Sequence, residues 1–516
     1  MGSPPDTTRL LTETESRRTS IDTINDLPDE SLLENGISES QPLWENEGGE
    51  EVKSVCTKHM ILLTCGTFGL QNVWSLLLAN GTPYLLAIGF SRSTTALIWA
   101  AGPLAGTFIQ PFIGTISDQS TSKYGKRKPF IIAGIVGAVL SMISMAVMRI
   151  AAAKFYNWIG REYIGAHVTL NMTRGLVIFW ICILNLSLQP IQVGLRALVV
   201  DSVPSQQQSE ASSWLGRFTG LGGIATYLLD GWLIDRYGDK TFEILCIVTS
   251  LSLVITNLPC LVFASERKEG RELAGVKRSF RVGKLFKRLM STTRRMPKSI
   301  VHICVIQFAS WLGWFPFLFY NTTYISALDP HHTTSNMKIH SNSSGVQAYL
   351  FFAITSFVSS MLLPLMIPTA TNKPISNGLS TMISYLHITL TKLWIFSQVL
   401  FAACMFSTSI ITNTLGGTLM VAIVGISWAL TQWVPMAMMS AEIANIREDG
   451  EGEDETGTLM SVFNVAISAP QILASGLCSG LFWVVRGMDL VDSLGWALKM
   501  GGLASVVAAG LIVFRK

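Results

Sequence analysis

The amino-acid sequence predicts an all-α membrane protein with twelve transmembrane helices in two six-helix bundles. Charged residues make up only 14% of the 516 residues and hydrophobic residues 49%, whereas soluble domains carry about 25% charged residues. Twelve apolar stretches are each long enough to cross the hydrocarbon core of a bilayer, which takes roughly 20 residues. They lie at about 58–80, 94–117, 129–149, 174–197, 211–232, 242–264, 299–324, 345–368, 388–411, 415–440, 457–485 and 494–513.

Basic residues divide these spans into two sets and orient them. The segment 265–298 lies between the sixth and seventh spans and is rich in lysine and arginine, and Lys123–Lys128 forms a second basic cluster after the second span. Loops rich in lysine and arginine stay on the cytosolic side of a membrane, so we expect both termini in the cytosol. Three glycosylation sequons, at Asn80, Asn171 and Asn342, then fall in loops on the outer side.

The chain is therefore predicted to have four regions. Its first residues are polar and acidic without a periodic apolar face, which is typical of a disordered tail. The predicted regions are a disordered cytosolic tail (1–52), an N-terminal six-helix bundle (53–264), a basic cytosolic linker (265–298) and a C-terminal six-helix bundle (299–516).

The fourth span carries a polar face. Asn185, Gln189, Gln192 and Arg196 follow one another at steps of 4, 3 and 4 residues, which places them on one side of a helix. An arginine near the membrane centre costs about 2.5–3.5 kcal/mol on insertion scales, so it occurs mainly where it faces a cavity or a partner. We interpret this face as a substrate pathway. The alternative is a hydrogen-bond ladder that stabilises the bundle, with Arg196 reaching to the inner interface.

The loop after the second span has the features of a gate. Gly114 precedes Asp118, and the loop that follows contains Gly125 and Arg127 within the basic cluster. We expect Gly114 to allow close packing and Gly125 to form a tight turn. An acid at one helix end that faces a basic cluster predicts a charge latch between Asp118 and Arg127, which opens and closes with the conformation. The alternative is that the basic residues only anchor the loop inside.

This loop resembles a known motif. Gly114-x-x-x-Asp118, followed by Gly125-Lys126-Arg127-Lys128, is similar to the loop motif of the major facilitator superfamily. The fuller run from 117 to 130 resembles the sucrose transporters of its glycoside–pentoside–hexuronide group, and the resemblance extends over about 53–516. Residues at that group's spacing in other spans are Gln71, Trp74, Gln192, Arg196, Asp201, Trp314 and Asn464. The end of the seventh span, 320–323, is more similar to fungal α-glucoside and sucrose permeases than to plant ones.

One position departs from that pattern. Eleven residues before the arginine, plant-type members carry an aspartate that is thought to accept the proton, and here that residue is Asn185. An amide forms hydrogen bonds with a sugar but does not titrate. The remaining candidates for proton coupling are Asp201 and Glu210, and loss of coupling is the alternative. Arg217 stands where the family pattern is apolar, and is either a further sugar donor or a partner of Glu210.

The resemblance implies a secondary active transporter that imports sucrose or a related α-glucoside disaccharide such as maltose, by proton symport and alternating access. A proton-independent uniporter and a non-transporting sugar receptor on the same scaffold are the alternatives. The expected partners are the disaccharide, protons and the lipid bilayer, with no nucleic acid. The expected location is the plasma membrane, with the vacuolar membrane as the alternative. No cofactor is expected besides the proton gradient as the energy source, and no catalytic or metal-ligand spacing predicts an enzyme.

Recognition of a neutral disaccharide requires many hydrogen-bonding partners for its hydroxyl groups and aromatic faces for its rings, rather than a strongly charged site. Amides, a guanidinium and indoles occur at membrane depth in several spans, and they are the predicted sugar-binding residues. For the two indoles, packing or a place in an interfacial belt is the alternative. The predicted sugar-binding residues are Gln71, Trp74, Asn185, Gln189, Gln192, Arg196, Trp314, Gln432 and Asn464.

Overall fold

The computed structural model describes residues 55–118, 120, 122, 124–159, 166–203, 207–264, 294–329, 343–363, 389–448 and 456–514. The predicted N-terminal tail, most of the predicted linker and the sequon at Asn342 lie outside these residues. The boundaries of the four predicted regions stay predictions.

Twelve long helices account for nearly all of the described residues, and each coincides with one predicted span. α1 comprises Thr57–Thr64 and Gly66–Ala87. α2 comprises Arg92–Ile98, Ala101–Leu104, a π-helical turn at Ala105–Ile109, and Gln110–Asp118. The others are α3 (Lys128–Ile159), α4 (Ala166–Ser202), α5 (Gln208–Tyr237), α6 (Thr241–Phe263), α7 (Lys298–Ala327), α8 (Ser343–Leu362), α9 (Leu390–Ser407), α10 (Thr414–Glu448), α11 (Thr456–Val484) and α12 (Leu490–Val513).

The predicted all-α membrane fold is confirmed. Eleven of the twelve helices are long and apolar enough to cross a membrane. The exception is α5, because Arg217 and Asp230 interrupt its apolar sequence, which is also rich in glycine. Its leucine and tryptophan side chains at 228 and 232 are nevertheless more than half exposed, as expected for a helix with one side toward lipid.

The helices pack in two groups, α1–α6 and α7–α12. Where they cross, small residues bring the backbones together, which is the usual way in which membrane helices associate. A Cβ added to Gly313 of α7 would lie 2.6 Å from the carbonyl oxygen of Gly501 in α12, and one added to Gly134 of α3 would lie 2.6 Å from that of Ser187 in α4. The α7–α12 and α3–α4 crossings therefore depend on glycine.

Side-chain hydrogen bonds between the two groups lie near one side, which we call the outer side because it is opposite the basic loop after α2. α5 and α8 also pack closely at Gly220 and Phe357, further toward the inner side. Ser93 and Ser475 donate hydrogen bonds across the α2–α11 contact to the carbonyl oxygens of Ser479 and Ala96. Arg92, at the outer end of α2, donates to Ser493 of α12. The two groups are therefore closed against each other on the outer side.

The sequons differ from the prediction because α1 and α4 are longer at their outer ends than the apolar pattern indicated. Asn80 lies inside α1, is only 6% exposed and cannot be glycosylated in this fold. Asn171 is exposed but lies within α4 rather than in a loop.

We expect Gly313→Ala to destabilise the protein, because its Cβ would lie against the Gly501 carbonyl oxygen. Overpacking of this kind costs about 1–3 kcal/mol, so the midpoint of thermal unfolding in detergent should fall. Gly476→Ala is the matched control, because a Cβ there meets no heavy atom of the described residues within 4 Å. Equal midpoints for the two variants would contradict the close α7–α12 packing.

Candidate functional site

The polar face of α4 is directed toward α2. The Nδ2 group of Asn185 donates to the carbonyl oxygen of Ile181 at 2.9 Å, and the Nε2 group of Gln189 donates to that of Asn185 at 3.0 Å. These bonds leave the amide oxygens facing outward from the helix. The Asn185 oxygen lies 2.8 Å from the position of a Cβ on Gly102, and the Gln189 oxygen 3.9 Å from one on Gly106.

Exposure increases along this face toward the inner side. Asn185 and Gln189 are each 3% exposed, Gln192 is half-buried and Arg196 is exposed. Because Arg196 shares the face that meets α2, its guanidinium points between the helices rather than toward lipid. No hydrogen bond or ion pair joins Arg196 to another residue in the described part of the chain.

The other half of the protein shows the same gradient. Asn464 is exposed, whereas Ser468, one turn further along α11, is half-buried beside Gly106 of α2. Ser475, two turns further still, is fully buried. On α10, Gln432 is exposed directly after the buried Thr431. Side-chain exposure on this face of α11 therefore increases toward the inner side, and α2 and α11 approach each other closely at the level of Ser468.

The predicted residues of α1, Gln71 and Trp74, are both half-buried. The Nε2 group of Gln71 donates to the Ser75 hydroxyl at 3.3 Å, and its side chain lies beside Gly222 of α5, 3.2 Å from the position of a Cβ there. Trp74 is half-buried and packs against the apolar core. Both side chains remain partly accessible, and their role in sugar binding stays a prediction.

Trp314 differs from the other predicted sugar residues because it is part of the core. It is 1% exposed. Its ring lies 4.3 Å from that of Phe401 on α9 and 4.9 Å from that of Trp428 on α10. Both rings come from distant helices, and they leave Trp314 no free face for a sugar in this conformation. Trp428, which is half-buried, was not among the predicted residues.

One face of α7 carries buried polar atoms that have no partner among the described residues. This face includes the Gln307 Oε1, Ser310 Oγ, Trp311 Nε1, Trp314 Nε1 and Asn321 amide atoms. Their positions fall within one side of a helix. Buried polar side-chain atoms normally have hydrogen-bond partners, so this face is a set of unused donors and acceptors inside the C-terminal half.

The loop after α2 forms an ion pair different from the predicted latch. Nε of Arg127 lies 3.1 Å from Oδ2 of Asp201, at the inner end of α4, and Nη1 of Arg127 donates to the Ser117 hydroxyl. The Asp118 side chain is outside the described residues, so its part in a latch stays a prediction. The pair joins two elements of the same half and does not bridge the halves.

The predictions for Gly114 and Gly125, the two glycines of the predicted gate, have different outcomes. Gly125 has φ +112°, which favours glycine, and its N–H donates to the Ser122 carbonyl oxygen. The predicted tight turn is therefore confirmed. The expectation of close packing at Gly114 is wrong for this conformation, because a Cβ there would meet no heavy atom of the described residues within 4 Å. The inner end of α2 therefore packs through other residues, such as the buried Ser117, and not through Gly114.

The predicted proton-coupling acids are not buried. Asp201 is 31% exposed and paired with Arg127, rather than with Arg196 or Arg217. Glu210 is exposed in the first turn of α5. Arg217 lies over the ring of Trp214, 4.6 Å from its centroid, which makes a cation–π contact rather than an ion pair with Glu210.

Sequence reasoning missed two polar residues. Arg92 bridges the halves at the outer side, and nothing in its local sequence predicts this. Asp230 of α5 is fully buried and its Oδ2 accepts a hydrogen bond of 2.6 Å from Asn80. An aspartate inside the predicted span 211–232 was the signal that could have found it, because acids within spans are rare and mostly functional.

These features define an integral membrane protein whose two groups of helices meet around a polar path that is closed on one side. Comparison with known proteins gives its family. The model of the Major Facilitator Superfamily matches residues 62–475, and the chain belongs to this superfamily.

Its relatives are permeases and transporters. The general alpha-glucoside permease of Schizosaccharomyces pombe is 31% identical over 93% of this chain and 98% of the relative. The sucrose transport protein SUC4 of Arabidopsis thaliana is 27% identical over 79% of this chain and 81% of the relative. Among solved structures, the nucleoside transporter NupG matches with a TM-score of 0.58 and 12% identity, over 89% of this chain and 100% of the other.

We expect Arg127→Gln and Asp201→Asn to lower the maximal rate of substrate uptake by similar amounts, because each removes one partner of the same ion pair. An exposed pair contributes about 0.2–1 kcal/mol, and a partly buried one somewhat more, so a reduction of about two- to fivefold is expected. The half-saturation concentration should stay unchanged, because neither residue lies on the polar face of α4.

The double variant tests whether the two residues act as a pair. It should be no slower than either single variant, as for groups that share one interaction. Arg294→Gln, at an exposed arginine before α7 on the same side, is the matched control and should leave uptake unchanged. Additive losses in the double variant would contradict the pairing.

Proposed function

We propose that this protein imports sucrose or a related α-glucoside disaccharide such as maltose into the cell, by alternating access and proton symport. The observation that carries the proposal is the face of α4 that changes from buried amides to an exposed, unpaired Arg196 inside the helix bundle. The plasma membrane, with both termini in the cytosol, is the proposed location. The similarity to alpha-glucoside and sucrose permeases supports the choice of substrate.

The chemistry of the path suits a neutral, hydroxyl-rich molecule. The exposed polar groups between the halves are the guanidinium of Arg196 and the amides of Gln432 and Asn464, and each amide offers donors and an acceptor. A sugar hydroxyl is both a donor and an acceptor, so it matches either end of an amide. The unused polar atoms of α7 add further hydrogen-bonding groups on the C-terminal side.

The closed outer contacts support our assignment of this structure to the inward-facing step of an alternating-access cycle. The α2–α11 contacts and the Arg92–Ser493 hydrogen bond close the outer side, while Arg196 and Asn464 are exposed toward the inner side. Entry of sugar from outside requires these outer contacts to break. The serine hydroxyls and the arginine can exchange their partners for water, so the cost of breaking each bond is modest.

Uniport is the second candidate, and Asn185 is the observation that favours it. The position is buried and carries an amide that does not titrate. A uniporter would equilibrate the sugar without accumulating it.

The decisive experiment is uptake of labelled sugars into vesicles that contain the purified protein, with and without an imposed proton gradient. We expect uptake of sucrose or maltose and no uptake of lactose, a β-galactoside of similar size. Accumulation that depends on the gradient supports symport, whereas equilibration without accumulation supports uniport. Binding without any flux would support the receptor alternative and overturn transport.

We expect Arg196→Lys to reduce sugar uptake by about tenfold or more, because a lost hydrogen bond to a charged group costs about 1.5–3 kcal/mol. Lysine keeps the charge but loses the planar fork of five donors. Surface expression should persist, because Arg196 makes no contact of this kind with described residues.

Arg217→Lys is the matched control. Arg217 is a second arginine of the same half whose contact is with Trp214, and we expect it to retain most uptake. Normal uptake by Arg196→Lys, measured at equal surface expression, would refute the role of the guanidinium.

A further inference from the structure

We propose that Asp230 of α5 is the carboxyl group that carries the proton. This inference rests on the proposed proton-coupled transport, and it replaces the two acids that the sequence indicated. Asp201 is held by Arg127 and Glu210 is exposed at the inner end of α5. Asp230 is the only fully buried residue of a charged type among those that the structure describes.

The surroundings of Asp230 hold a carboxyl group in its neutral form. Its Oδ2 atom accepts one hydrogen bond, from the Nδ2 group of Asn80, and its Oδ1 atom has no partner among the described residues. No lysine, arginine or histidine of the described chain pairs with it. An ionised carboxylate without a cation or further donors is unstable in a buried site. In this sealed state Asp230 is therefore the protonated acid.

Titratable groups on the helices around Asp230 include three phenols and one acid. Tyr227, one turn earlier on α5, lies within electrostatic reach of the carboxyl group. Behind it, on α8, is Tyr349, which is fully buried. On α1 the hydroxyl of Tyr84 donates to the Met145 carbonyl oxygen of α3. On α6 the acid Glu243 lies in the first turn, close to Cys246. None of these groups supplies a positive charge.

The contact between α5 and α8, which forms a seam between the two halves, controls access to this site. The rings of Tyr227 on α5 and Tyr349 on α8 lie 5.4 Å apart, and the Tyr349 hydroxyl donates to the Leu318 carbonyl oxygen of α7 at 2.8 Å. These contacts belong to the outer part of the α5–α8 seam. When the outer side opens, α5 and α8 separate there, and Asp230 becomes accessible to external water. A proton then passes from that water to the carboxylate.

A chain of polar groups connects Asp230 with the sugar path. Tyr227 lies beside Ser75 as well as Asp230, and Ser75 accepts a hydrogen bond from Gln71, a predicted sugar-binding residue. A sugar that competes for Gln71 therefore changes the polar surroundings of Ser75 and, through Tyr227, those of the acid. The structure, with its inner side open and Asp230 still sealed and protonated, corresponds to the step before proton release. The proton then leaves Oδ of Asp230 for water that enters from the inner side along this chain of polar groups, and the carboxylate is regenerated for the next cycle.

The test compares net uptake with exchange for Asp230→Asn, an isosteric change that keeps a partner for Asn80 but does not titrate. One proton that crosses with the sugar at 100 mV supports about fiftyfold accumulation. We expect Asp230→Asn to lose this accumulation and the sugar-induced proton uptake, while exchange of labelled for unlabelled sugar persists. A merely structural role would lower both modes together.

Asp235→Asn, at an exposed acid on the same helix, is the matched control and should behave as the native protein. If Asp230→Asn still accumulates sugar with protons, the inference is overturned and the proposed symport stands. If the native protein moves sugar without protons, symport and the inference both fail, and sugar transport stands.

A second variant covers the case in which Asp230→Asn does not fold. Asn80→Ala leaves the acid in place but removes the donor that favours its charged form. We expect sugar exchange to persist and the pH of half-maximal proton-driven uptake to shift upward. An unchanged pH profile at equal surface expression would overturn the inference.

Discussion

The contact between α2 and α11 at their outer ends determines what the rest of the structure can do. There, serine hydroxyls donate to backbone carbonyl oxygens of the opposite helix, which requires the two helices to approach closely. Because the same helices diverge beyond Gly106 and Ser468, the groups that are buried at one end become accessible at the other. The exposure of Arg196 and Asn464 is thus a consequence of packing some distance away.

The arrangement also explains how a membrane protein carries so many polar groups at depth. Along α4, the amides of Asn185 and Gln189 donate to the helix backbone, whereas Gln192 and Arg196 donate to no residue that the structure describes. The C-terminal half solves the problem differently, since α7 buries a face of polar atoms among aromatic rings. The two halves are therefore unequal in chemistry although each contributes six helices.

The sequence predicted the number, order and approximate bounds of the helices, because apolar length is a direct requirement of the bilayer. It also predicted the Gly125 turn, which depends on local backbone conformation. The sequence analysis was wrong where the contacts of a residue depend on partners that are distant along the chain. The sequence paired Arg127 with Asp118 of the same loop, and only the fold reveals its ion pair with Asp201. The burial of Trp314 depends on rings from α9 and α10, which no local pattern reveals.

The π-helical turn at Ala105–Ile109 lies where the path narrows, next to Gln189 and Ser468. Such a turn accommodates one residue more than a regular helix over the same length, and each residue of an α-helix rotates the chain by about 100°. The outer part of α2 is therefore turned relative to its inner part. A homologue that lacks one residue in this stretch would present a different set of side chains to α11. Deletion of a single residue there would therefore change the outer contact between α2 and α11, although none of the residues that form this contact would be substituted.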